Sequence, residues 1–192
     1  MSLEICVDSK YKEMMHSDRP DWQSEKLSIG LEVVRGINKY EGNCDAFLQF
    51  NFGKGLSVNE LKDKTMLIEN FSGEILEHEG KIIFLNYKSL VDTKVYKDMV
   101  LSEINKKIIK INNGYKLFDS NELYIFCPFP FEKNDIENIV LTIDDTANNP
   151  YSIFYFNCLD NIFCYNKSLD EIETIDVSNE LLKKIKLLSF EK

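Results

Sequence analysis

"ELYIFCPFPFEKNDIENIVLTIDDTANNPYSIFYFNCLDNIFCYN", Glu122 to Asn166, is the stretch whose reading decides the fold. Four apolar segments stand out in it: "ELYIFC", "ENIVLTID", "YSIFYFN" and "NIFCYN". All are rich in β-branched and aromatic residues and are separated by Pro, Asn and Asp, the residues that punctuate strands. Read this way, the stretch is an extended meander, with "DDTANNP" and "NCLDN" as its turns. Consecutive strands joined by short turns pair antiparallel, so the expected fold is α+β with a largely antiparallel β-sheet and a few short helices. Residues 1–192 are expected to form a single domain, which suits a chain of this length.

Upstream, Leu27, Ile29, Leu31 and Val33 alternate with Lys26, Ser28, Gly30 and Glu32, a period-two strand pattern. A second alternating run, Leu48 to Phe52, predicts a hairpin partner across a long loop. "SVNE", Ser57 to Glu60, has the form of a capping box opening a short helix. Further strand signals lie in "TMLIENF" and in "GEILEHEGKIIFLNY", where Glu79-Gly80 marks a tight turn. Tyr96, Met99, Val100, Ile104 and Ile108 recur at helical spacing and predict a helix over 92–110, ended by "NNGY". Ser178 is placed to cap a last amphipathic helix carrying Leu181, Leu182, Ile185 and Leu188.

Composition bounds the class. Hydrophobic residues make up 44% and charged residues 29%, which describes a globular chain rather than a disordered one. No apolar run reaches the roughly 18 residues of a membrane span, and the N-terminus lacks a basic region followed by a long apolar one. Five cysteines, Cys6, Cys44, Cys127, Cys158 and Cys164, include no C-x-x-C pair, and only two histidines accompany them. That pattern predicts reduced thiols in a cytoplasm, no disulfide, no metal and no cofactor.

Candidate chemistry is sparse. Cys44 follows Gly-Asn, and with His78 as base it could serve a small thiol hydrolase. Catalytic thiols usually sit at a helix N-terminus, however, and Cys44 precedes the strand-like "AFLQFNF". "FGKGLSVNE" has anion-holding ingredients but not the P-loop spacing, and "TIDDTANN" lacks the Gly and Glu of a calcium loop.

Charge has more direction. The net charge is −9, and between Glu132 and Glu180 there are eleven acids but only two bases, Lys133 and Lys167. Such a field repels nucleic acid and anionic membranes and steers a basic protein towards it. The expected function is therefore a non-catalytic binding module, of inhibitor or immunity type, that covers a basic site on a partner. Its candidate contacts are Asp144, Asp145, Asp160, Asp170, Glu171 and Glu173. Phe129 and Phe131 of "CPFPF" serve either as aromatic anchors or as a plug at the end of the sheet.

Overall fold

A computed structural model describes residues 8–37, 42, 57, 59–60, 93–127, 129–158 and 161–177, together with the backbone of 73–78 and 81–87. The chain divides into two compact units, Met1–Gly36 with Thr93–Lys192, and Ile37–Asp92.

The first unit is built on a seven-stranded mixed sheet. Its strands are β1 (Met15–His16), β2 (Trp22–Ser24), β3 (Ile29–Arg35), β6 (Ser120–Phe126), β7 (Ile153–Cys158), β8 (Asn161–Asn166) and β9 (Glu171–Asp176), adjacent in that order. The flanking pairs are antiparallel, but β3, β6 and β7 run parallel at the centre. The α+β expectation therefore holds in outline, and the sheet is mixed where a continuous meander was expected.

The correction originates in "ENIVLTID". It lies within a helix, α2 (Lys133–Asp144), not a strand. Ile136, Ile139, Val140 and Ile143 recur at helical spacing, and all four are buried. At its start, Asp135 accepts a hydrogen bond from the Glu132 backbone amide (3.1 Å) and pairs with Lys97 of the preceding helix, α1 (Thr93–Asn112), at 2.6 Å. With α2 as the crossover, β6 and β7 can lie parallel, which a tight turn does not permit.

The expected hairpin between the first strand and 48–52 also changes. Both sides of β3 are occupied, by β2 and β6, so β3 has no edge left for that partner. Residues 48–52, "TMLIENF" and the segment after Ser178 lie outside the described residues. In the second unit, β4 (Gly73–His78) and β5 (Lys81–Tyr87) pair antiparallel with His78 opposite Lys81, as the hairpin reading expected. The Ser57 hydroxyl accepts from the Glu60 amide (3.3 Å), and the Glu60 carboxylate accepts from the Ser57 amide (2.9 Å), completing the capping box.

The central strands of the sheet are buried on both faces. On the helix side, Val34, Leu123, Ile125, Phe154 and Phe156 pack against Val100, Ile104 and Ile108 of α1 and the apolar stripe of α2. Gly36 lets α1 approach the end of β3, since a Cβ there would lie 2.6 Å from Val100 Cγ2. On the other side, Tyr11 and Met14 of the N-terminal segment cover Leu31, Tyr124, Tyr155 and Ile162.

Each face also holds a buried carboxylate. Glu32 faces the helices, paired with Lys107 of α1, and accepts from the Asp21 amide at 3.2 Å. Glu122 faces away and has no exposed surface. It accepts from the Tyr11 hydroxyl (2.6 Å), the Ser120 hydroxyl (3.1 Å) and Lys10 Nζ (3.3 Å). Tyr155 Oη lies 2.5 Å from Tyr11 Oη and extends this network.

Two outcomes follow for stability. Lys107→Met should cost about 3 kcal/mol in urea unfolding by leaving Glu32 buried and unpaired, and Lys107→Met/Glu32→Leu should regain most of it. For Asp135, burial pushes its carboxyl up, but the Lys97 ion pair and the Glu132 amide outweigh that and hold it below the usual carboxylate range. A depressed folded value means that its contribution is present above the unfolded value of about 3.9 and is lost as pH falls through the folded one. Asp135→Asn should therefore lower stability at pH 7 and show a shallower loss than the parent chain on acidification below about pH 4.

Candidate partner-binding site

The acids converge where the helix layer ends. Beyond α2, the β8–β9 hairpin extends the sheet, and a cleft of about 660 Å³ separates the two. Val140, Tyr165 and Ile172 supply apolar lining, and among the described residues Lys133, Glu137, Asp170, Glu171 and Glu173 supply the charges, four acids against one base.

The hairpin turn is fixed by its own polar side chains. Asn166 Oδ1 accepts from the Ser168 amide (3.0 Å) and hydroxyl (2.8 Å), and the Leu169 amide donates to the Asn166 carbonyl (3.2 Å). Asp170 closes it at φ +51°, a left-handed conformation that a short polar side chain tolerates. This geometry leaves Leu169 62% exposed, and Leu141 on α2 is 66% exposed; both line the cleft.

Tyr165 ties the two walls together. Its hydroxyl donates to Asp144 Oδ2 at 2.5 Å and lies 3.4 Å from Asp170 Oδ1. One phenolic proton can satisfy only one of them, so two carboxylates converge on a single donor. Burial, then the hydrogen bond to Asp144 and the two negative charges, raise the phenol well above its ordinary value.

The structure brings Asp144, Asp170, Glu171 and Glu173 to this region and leaves all four exposed. They do not form one flat face. Ile172 packs towards the helix-side core, and Glu173 stands opposite Cys164, which packs on the other side. Asp144 and Asp170 therefore gather at the Tyr165 hydroxyl on the helix side of β9, while Glu171 and Glu173 project from its other face and border the cleft from the edge of the sheet. Asp145 is the exposed C-cap of α2, and Asp160 lies outside the described residues.

Phe129 and Phe131 turn inward. Phe131 is 3% exposed, and Phe129 packs on the same core, its ring 5.2 Å from that of Tyr96. Burial removes Phe131 from any surface contact, while Phe129 is half-buried against the same core. The exposed apolar groups are instead Leu141 and Leu169. Leu141 was hidden by the strand reading of "ENIVLTID", and Leu169 by the lack of any pattern around a turn.

Cys44 and the His78 side chain lie outside the described residues. Among the described thiols, Cys127, Cys158 and Cys164 are free. Burial raises the Cys127 thiol, and burial with the Glu173 charge pushes Cys164 up to about 11, the reverse of nucleophile activation. Cys158 packs in the helix-side core and Cys164 on the opposite side. No group of three or more potential metal ligands occurs among the described residues, and no described helix is long and apolar enough to cross a membrane.

Tyr165→Phe should cost about 1 kcal/mol in urea unfolding, because it removes the shared donor from two neighbouring carboxylates. A change no larger than that of a neutral surface substitution would mean that the hydroxyl does not hold the walls together. Comparison of the chain with family models, with curated proteins and with solved structures finds no match.

Proposed function

We propose that the chain is a non-catalytic protein-binding module that covers a basic site on a partner protein, as an inhibitor or immunity-type protein does. One observation carries the reading. Exposed carboxylates border a cleft whose walls expose two leucines, and Lys133 is the single base among its described lining residues. Carboxylates in this arrangement attract a cationic surface from a distance, and apolar area provides short-range affinity once it arrives. The contact acids are Asp144, Asp145, Asp170, Glu171 and Glu173, with Asp160 carried over from the sequence. Blockade is steric and electrostatic, with no bond made or broken.

The test is capture of the partner from the source cell, followed by association kinetics at graded salt. Association should slow strongly as the Debye length falls from about 10 Å at 0.1 M to about 3 Å at 1 M, while dissociation changes less. Replacing Asp144, Asp170, Glu171 and Glu173 by their amides should slow association about tenfold at low salt with little change in melting temperature. An acidic partner, or one that associates at a salt-independent rate, would refute the proposal.

A further inference from the structure

Resting on that reading, we infer that the cleft between α2 and the β8–β9 hairpin is the seat of a basic amphipathic helix of another protein. Glu137, Leu141 and Asp144 follow one another at spacings of four and three along α2, so they share one side of it. Glu137 and Leu141 line the cleft, and Asp144 continues the same side of the helix to the Tyr165 hydroxyl, a run of about 10 Å or close to two helical turns. Leu169 and Asp170 form the opposite wall.

Both walls thus pair an exposed leucine with a carboxylate. A helix laid between them sets one apolar stripe against Leu141 and Leu169, and its flanking cations fall on Glu137, Asp144 and Asp170. Where Asp144 and Asp170 converge on the Tyr165 hydroxyl, only one can take its proton, and the other acceptor is open to a forked donor. Arginine fits that place better than lysine, because its planar guanidinium presents several donors at once.

An added strand is the weaker match. β9 ends the sheet among the described residues, but it carries Glu171 and Glu173 on one side, the kind of charge that discourages strand pairing. The two leucines, moreover, line the cleft on α2 and on the hairpin turn rather than lying along β9.

The test uses two synthetic peptides of about four helical turns and identical composition. One carries leucines in a single stripe flanked by arginines, and the other is scrambled. In fluorescence anisotropy with the full chain, the patterned peptide should bind about tenfold more tightly than the scrambled one, the scale of one buried leucine. Leu141→Gln/Leu169→Gln should abolish that preference with an unchanged melting temperature, and replacing the peptide arginines with lysines should weaken binding severalfold.

Equal, salt-sensitive binding of both peptides would overturn the helix seat while leaving the acidic binding surface intact. Binding by neither would count against both. Tighter peptide binding after Lys183→Gln/Lys184→Gln/Lys186→Gln would identify the chain's own C-terminal sequence as the occupant, and this too would overturn the assignment. So would a dimer in sedimentation that is lost in Leu141→Gln/Leu169→Gln, since the occupant would then be a second copy.

Discussion

A carboxylate without exposed surface must be paired, and the first unit carries one on each face of its central strands. Glu32 on β3 and Glu122 on β6 are 2% and 0% exposed, and their strands are hydrogen-bonded neighbours. An isolated charge in such a place would cost several kcal/mol, so each needs a donor delivered by another element. Lys107 arrives from α1 on one face, and Lys10 with Tyr11 from the N-terminal segment on the other. The two pairings therefore pin both covering layers to the same pair of strands. Each pairing adds a directional contact to the non-directional apolar packing of its layer. The rest of the sheet grows outward from this fixed centre.

The position of the cleft follows from where the sheet changes direction. β6 and β7 are parallel, so the chain between them must cross over, and α2 lies on the sheet as that crossover. From β7 onward the strands return as hairpins, which bring no helix with them. α2 reaches β8, and past it the hairpin stands alone among the described residues, leaving a step between the two levels. Asp144 closes α2 on one side of that step, and Asp170 occupies the hairpin turn on the other. Tyr165 sits beneath both, with its hydroxyl between them. Residues 26 apart in sequence thus share one donor because a parallel segment is followed by an antiparallel one.

Much of this was legible where a periodicity was unambiguous. The 3.6-residue spacing from Tyr96 to Ile108 marked α1, and "GEILEHEGKIIFLNY" marked a hairpin, because neither pattern has a rival reading. "ENIVLTID" has one. Its consecutive Ile, Val, Leu, Thr and Ile have strand propensity, while its buried residues Ile139, Val140 and Ile143, together with the preceding Ile136, have helical spacing. Tertiary burial overrode propensity there, as it commonly does. The capping contact of Asp135 with Glu132 was the local signal that would have favoured the helix. Glu32 was legible only as the polar partner in an alternating strand. A strand covered on both faces, as β3 is, has no solvent side, and only the three-dimensional pairing with Lys107 explains the inward charge. The concentration of acids was evident in the sequence, but their division between the two sides of β9 depended on register, which a one-residue slip would have reversed.

Acids around the last strand admit a plain explanation: charge keeps a β-rich surface soluble and keeps a sheet edge from pairing with another chain. That account fits Glu171 and Glu173, which flank the edge. It does not extend to Leu141 and Leu169, since exposed apolar side chains work against solubility. One such leucine would be unremarkable on any surface. Two lining the same cleft, with carboxylates beside them, combine an apolar contact with a charged border, the arrangement that interfaces use when a hydrophobic centre is enclosed by a polar rim. The leucines, more than the acids, therefore favour recognition over solubility. On the proposed reading the acids then add direction, because a partner seated on those leucines would meet the carboxylates of Asp144 and Asp170 and is favoured by positive charge there.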